Sequence, residues 1–270
     1  MKKVALIIPT CGRPYDLRKC LESIERESTS HLCQVIVVDD AANDPVCVPG
    51  TVGGAPVMLL RNEERRGAAF CRNLETRELS SEVTVVGFLD DDGRLCDGWL
   101  KTVVKELTSA RGALTGPVQR FDRGVVSHAR QLRYDKRYAG LCPGQAVDFL
   151  AGGNAVVWRD LLELAGGFPE TKTMSDRFLV RRLEANGKAC HYIPEMVLLH
   201  RNSKGIRTAI REAWRAGLVD DSKTAQSASA RLLMGFRSAI MSRHPMPALL
   251  NVGLDAVYLV GRHRATTIQH

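Results

Sequence analysis

At 270 residues, 44% hydrophobic and 25% charged, the chain has ordinary globular composition and is long enough for one large α/β domain, or one domain with an appended segment. Its eight cysteines contain no CxxC pair, so neither a zinc ribbon nor a dithiol redox motif is supported, and several sit inside apolar periodic stretches as small hydrophobes, which predicts a reducing, cytoplasmic compartment. Net charge is +8, and residues 201–270 alone carry +7 (11 Lys and Arg against 4 Asp and Glu), so a basic tail follows a near-neutral body.

The apolar run after Lys2 and Lys3 stops at Pro9, too soon for the core of a signal peptide. No stretch reaches the roughly 18–20 uncharged apolar residues of a membrane span. KVALII (residues 3–8) has the pattern of a buried strand and PTCGRP that of a turn. Pro14 then suits the first turn of a helix, in which Leu17, Cys20, Leu21 and Ile24 form one apolar face. QVIVV (34–38) predicts a second strand ending in Asp39 and Asp40, and PVMLL (56–60) a third. NEERRGAAFCRN opens a helix at about Gly67. VTVVGFL (83–89) is a fourth strand and runs into Asp90, Asp91, Asp92 and Gly93.

Three adjacent carboxylates disfavour joint ionisation. Two readings offset that cost: a turn in which Asp92 or Asp97 caps the helix starting near Trp99, or oxygen ligation of a divalent cation. Residues 97–110 predict a helix, and LTGPVQRF (114–121) a strand. The arginine-rich stretch through residue 145 has weak periodicity and reads as a loop or short hairpin region. AVDFLAGGNAVVWRDLLELAGGFPE, a polar helix in SDRFLVRRLEANGK and a short strand in HYIPEMVLLH (191–200) follow. Strands alternating with helices imply a doubly wound, mainly parallel sheet, and ligands of such sheets bind at the carboxyl ends of the strands. Four strand ends bring polar groups to that edge: Thr10 and Arg13, Asp39 and Asp40, Asn62 and Arg65, and Asp90 to Asp92.

The motifs IIPTCGRP, VVDDAAN, NEERRGAAFCRN, FLDDDG, GGNAVVWRDLLELAGGFPE, SDRFLVRRLEANG and LLH, in that order over residues 3–200, resemble those of family 2 glycosyltransferases. The resemblance implies a GT-A fold, with a mixed, mainly parallel sheet flanked by helices, and inverting transfer from a UDP-, GDP- or dTDP-sugar. By similarity, Thr10, Arg13 and Arg72 line the nucleotide pocket, Asp40 meets the base (Asp39 if the register slips by one), and Asp90 faces the ribose. Asp91 assists Asp90 or Asp92. Asp92 holds Mn²⁺ or Mg²⁺ against the diphosphate, and His200 is a further metal ligand or a diphosphate contact. Gly152, Gly153 and Asn154 form the floor beneath the donor sugar. Asp176 is the general base, although Ser175 stands where the family has glutamate; Asp176 also suits a helix N-cap.

Residues 1–200 are thus expected to form the catalytic domain and 201–270 a basic helical extension, with helices near 206–215 and 228–242 and a third in PALLNVGLDAVYLVG. Apolar faces flanked by arginine leave three readings for the extension: peripheral membrane contact, a helical cap on the sheet, or a homodimer interface. No motif supports nucleic-acid binding. The competing readings of the whole chain are a non-catalytic nucleotide-sugar-binding module, which Ser175 favours, and a sugar-1-phosphate nucleotidyltransferase, which the turn IPTCGRP does not suit.

Overall fold

The computed structural model describes residues 1–27, 30–74, 78–170, 174–203, 205–219 and 228–268. In chain order the elements are β1 (Val4–Thr10), α1 (Pro14–Glu25), β2 (Leu32–Asp39), β3 (Thr51–Val52), β4 (Ala55–Arg61), α2 (Ala68–Leu74), β5 (Val85–Leu89), β6 (Gly93–Leu95), α3 (Trp99–Glu106), β7 (Ala113–Thr115), β8 (Val118–Arg120), α4 (Val125–Tyr138), β9 (Ala146–Val147), β10 (Asn154–Trp158), α5 (Arg159–Leu164), α6 (Ser175–Ala185), β11 (Cys190–Tyr192), β12 (Leu198–His200), α7 (Ile206–Val219), α8 (Ala228–Ile240) and α9 (Pro245–Ile268). They form two compact units, one of Met1–Gln119, Gly140–Thr171 and Ser175–His200, the other of Arg120–Ala139, Lys172–Met174 and Arg201–His270.

The first unit is built on a sheet of order β3-β4-β2-β1-β5-β10-β7-β11-β9. Strands β4, β2, β1 and β5 are mutually parallel. Every residue of β1 and β5 is buried, which explains why they read as unbroken apolar runs rather than as alternating ones. The apolar face of α1 covers this core with Leu17, Cys20, Leu21 and Ile24. Strand β10 enters the middle of the sheet antiparallel to both β5 and β7, so the sheet is mixed.

The segment 114–121, expected as one strand, divides at Gly116 and Pro117 into β7 and β8, which belong to different sheets. A Cβ at Gly116 would overlap the Met196 backbone, so the chain passes there only as glycine. Similarly, 191–200 forms two strands, and β12 joins the small sheet β6-β12-β8. Neither Asp92 nor Asp97 caps α3. That task falls to Glu27, whose carboxylate accepts hydrogen bonds from the backbone N–H groups of Gly98 (2.6 Å) and Leu100 (2.7 Å).

The second unit is helical. The stretch expected as a loop or hairpin forms α4, a helix of 14 residues. Its periodicity is faint in sequence because only Ser127 and Ala129 are fully buried. Arg130 pairs with Glu212 of α7, and Arg133 donates to Asn251 Oδ1 (2.7 Å) and Asp255 Oδ1 (3.0 Å) of α9. Helices α7 and α9 meet backbone to backbone at Gly217 and Gly261, where a Cβ on Gly261 would lie 2.7 Å from the Trp214 carbonyl oxygen.

Candidate functional site

The acidic turn after β5 is shaped by its neighbours on either side. Asp90 and Asp92 face one way and Asp91 another. Asp91 is fully buried; its Oδ2 accepts from Thr10 Oγ1 at 2.7 Å, and its Oδ1 lies 2.5 Å from Arg13 Nη2. Arg13 Nη1 reaches Asp92 Oδ2, also at 2.5 Å. One guanidinium therefore bridges two carboxylates and offsets one of their two charges. Burial pushes the Asp91 carboxyl up, Arg13 pulls it down, Asp92 pushes it up again, and the net result is about 7. Thr10 and Arg13, expected to line the nucleotide pocket, are thus the partners that hold this turn.

His200 arrives through strand pairing. In the small sheet β12 runs antiparallel to β6, with Leu198 opposite Leu95 and His200 opposite Gly93. That register sets the imidazole next to the residue following Asp92. His200 Nε2 lies 2.9 Å from Asp92 Oδ1 and 3.7 Å from Asp90 Oδ2. Burial alone would lower the His200 pKa, but the hydrogen bond to Asp92 and the charges of Asp90 and Asp92 raise it to about 9.

Asp90, Asp92 and His200 each offer one ligand atom, and these atoms lie within 4.8 Å of one another. Two carboxylates and an imidazole form a donor set suited to Mn²⁺ or Mg²⁺, and burial of Asp92 and His200 keeps it from relaxing into solvent. The residues present fit a divalent cation. Asp90 therefore stands with the candidate metal ligands as well as at the position expected to face a ribose. The pairing of Asp90 with Asp92 against Asp91 comes from a turn closed by the Gly93 N–H donating to the Asp90 carbonyl oxygen (2.9 Å), so strand alternation in the sequence does not announce it.

Asp90 is held from behind. Arg72 Nη2 donates to Asp90 Oδ1 at 2.8 Å, and the Arg72 guanidinium lies 5.3 Å from the centroid of the Phe168 ring. Phe168 is fixed in turn by Asn73, which donates to its carbonyl oxygen (2.6 Å) and accepts from its N–H (2.8 Å). The antiparallel register of β10 pairs Asn154 with Leu89. One step further, Gly153 sits against Asp90, and a Cβ there would overlap the carboxylate; a Cβ on Gly152 would lie 3.1 Å from Arg72 Nη1. Gly153 in particular permits this close approach.

Asn154 is placed differently from expectation. Its side chain is fully buried, accepts from Trp99 Nε1 (2.8 Å) and donates to the carbonyl oxygens of Met196 (2.8 Å) and Pro117 (3.2 Å). It holds interior backbone together. Asp40 is also engaged within the chain: Oδ1 accepts from Asn62 Nδ2 and the Arg66 N–H, and Oδ2 from the Gly67 N–H. Burial would raise its pKa, but those donors bring it below the ordinary carboxylate value. Asp39 likewise accepts from the Ala42 N–H and from Arg61 Nη1. Asp176 lies in the first turn of α6, half-buried, and its Oδ1 accepts from the Arg177 N–H at 3.0 Å. Met174, just before that helix, takes a left-handed backbone conformation (φ 62°) that is uncommon outside glycine.

The sequence model described as "Glycosyl transferase family 2" matches residues 5–165, which include the whole acidic turn. The chain belongs to glycosyl transferase family 2. Among proteins similar to this family 2 member is an uncharacterised glycosyltransferase of Haemophilus influenzae, 34% identical over 89 residues, or 33% of this chain and 29% of that protein. The chain thus matches under a third of that relative's length. Two solved structures share the fold. The mannosyltransferase PcManGT of Pyrobaculum calidifontis, in complex with GDP-Man and Mn²⁺, has a TM-score of 0.66 at 18% identity, covering 99% of this chain and 88% of that one. TarS residues 1–349 of S. aureus, in complex with UDP-GlcNAc, has a TM-score of 0.58 at 15% identity, covering 98% and 88%. The fold is the GT-A fold.

Proposed function

We propose that this chain transfers a sugar from a nucleoside-diphosphate sugar to an acceptor nucleophile with inversion at the anomeric carbon. The observation that carries the reading is the convergence of Asp90, Asp92 and His200 at the carboxyl end of β5, where ligands of such sheets bind. A divalent cation held there would neutralise charge that develops on the departing diphosphate. The donor and metal bound by the fold relatives, GDP-Man with Mn²⁺ and UDP-GlcNAc, support the same substrate class.

In this reading Asp92 and His200, with Asp90, hold the cation. Arg72 keeps Asp90 oriented, and Arg13 offsets the charge of Asp91 and Asp92. Gly153 lets the floor beneath the donor sugar approach the Asp90 carboxylate closely, and Asn154 holds the interior backbone under that floor. Asp40 shapes the nucleotide side of the pocket through the 62–67 loop it holds. Asp176 accepts the proton of the acceptor hydroxyl as its oxygen attacks the anomeric carbon and the bond to the diphosphate oxygen breaks.

The test is thermal stabilisation by UDP-, GDP- and dTDP-sugars with and without Mn²⁺, followed by transfer assays. Metal-dependent stabilisation by one donor class is expected, and the absence of any shift with metal present would overturn the reading. Asp176→Asn should keep donor stabilisation while transfer falls by about 100-fold or more. Ser175, in place of the family's glutamate, favours a second reading, a nucleotide-sugar-binding module without transfer. Donor stabilisation with no transfer by the unaltered chain to any acceptor class would select it.

A further inference from the structure

The second unit carries an apolar surface that its own packing does not use. Helix α8 packs against α9, yet Leu233, Met234, Phe236 and Ile240 are all exposed. At 100° per residue, Leu233, Phe236 and Ile240 fall within one arc of α8, with the exposed Arg237 beside them. The surface continues around the turn into α9: Met241 is 87% exposed and Met246 65%, and Leu249 is exposed one turn further on. A soluble helix ordinarily turns its apolar stripe inward. Here the tip of a helical hairpin turns one outward.

Charge indicates what covers it. Between Asp221 and Asp255 the sequence contains no acidic residue, whereas Arg237 and Arg243 are exposed within the apolar surface. A large apolar patch with basic residues and no acid matches an anionic lipid surface, into which apolar side chains enter while arginines meet headgroups. No helix among the described residues is long and apolar enough to cross a membrane, so the contact is with the surface. An interface between copies of the chain would bring Arg237 and Arg243 of each near the other's, with no acidic residue between Asp221 and Asp255 to offset them and with Asp255 itself paired to Arg133.

We propose that the α8–α9 hairpin, centred on Phe236, Ile240, Met241 and Met246, docks this protein on an anionic bilayer surface. The proposal stands apart from sugar transfer, because every residue it uses lies in the second unit.

The test is co-sedimentation of the full chain with phosphatidylcholine vesicles, with and without about one-third phosphatidylglycerol. Retention at least about tenfold greater on the anionic vesicles is expected, falling as added salt screens the arginines. The double variants Met241→Ser/Met246→Ser and Arg237→Glu/Arg243→Glu should each lose that retention while keeping the thermal midpoint of the unaltered chain, since all four residues are exposed. Equal retention on both vesicle types, or none on either, would overturn the proposal. So would a dimer in light scattering that Met241→Ser/Met246→Ser converts to monomer, which would give the face to a second copy. Donor stabilisation with Mn²⁺ reports on the first unit and should be unchanged in both double variants.

Discussion

His200 Nε2 lies 2.9 Å from Asp92 Oδ1, although the two residues come from different elements and are brought together only by the pairing of β12 with β6. A proton on the imidazole offsets part of the negative charge of Asp90 and Asp92.

That proton gives the site a pH dependence of known sign. The His200 pKa, raised to about 9 from 6.5, means the folded chain holds the proton more tightly than the unfolded one. The resulting stability is complete below about pH 6.5 and is lost as pH rises through about 9. Metal ligation needs the neutral imidazole, so Mn²⁺ binding at pH 7.5 should release about one proton per ion, and affinity should rise toward pH 9. Calorimetry in two buffers of different ionisation enthalpy measures the release. Identical heats in both would remove His200 from the ligand set.

The neighbouring acids should separate under substitution. Asp91→Asn should retain Mn²⁺ binding, because Asp91 faces Thr10 and Arg13, whereas Asp92→Asn should lose it. The Asp91 pKa is raised from 3.8 to about 7, so ionising this carboxyl destabilises the fold progressively between about pH 4 and 7. Asp91→Asn should flatten that part of the stability profile and leave the chain relatively more stable at pH 8. Urea unfolding across this range, with Mn²⁺ titrations of both variants, provides the check.

Gly153→Ala should act on the metal site through Asp90. The new methyl group overlaps the Asp90 carboxylate and forces it away from Asp92 and His200. Mn²⁺ affinity is expected to fall about 10–100-fold, as when an outer-sphere support is lost. Gly50→Ala, with open space around it and an ordinary backbone conformation, should change nothing. Equal affinity in the two variants would contradict the packing argument.

Asn154→Ala should read as a stability variant. It leaves Trp99 Nε1 and the Met196 carbonyl oxygen without that partner in the interior, whereas the Pro117 carbonyl oxygen keeps the Leu198 N–H. The cost is expected to be about 2–4 kcal/mol. In the folded fraction, donor stabilisation should persist; its loss with stability unchanged would restore Asn154 to the ligand-binding role.

The strands and the polar edge were legible because β1, β2 and β5 are covered on both faces and β1 and β5 end in groups that a buried sheet cannot otherwise tolerate. The acidic turn was legible for the same reason. What individual polar residues do was less visible, because hydrogen-bond partners far apart in sequence leave no periodic trace. Asp40 and its partner Asn62 are 22 residues apart, Thr10 and Asp91 81 apart, and Trp99 and Asn154 55 apart. Glu27 was missed as the cap of α3 because it lies 71 residues from Gly98. Helix α4 was hidden by its near-absence of buried apolar residues, so a periodicity argument had nothing to register.

The late position of β12 in the chain has a consequence for biosynthesis. Strands β1, β2, β4 and β5 can pair as soon as residue 89 has left the ribosome, and the three adjacent aspartates follow directly. Thr10 and Arg13 are present by then, but β10 and His200 are not. A nascent chain halted between residues 92 and 200 would display an acidic turn with one of its neutralising groups still to be made. His200 joins Asp90 and Asp92 only once β12 has paired with β6, so order of synthesis sets when this turn gains its last neutralising group.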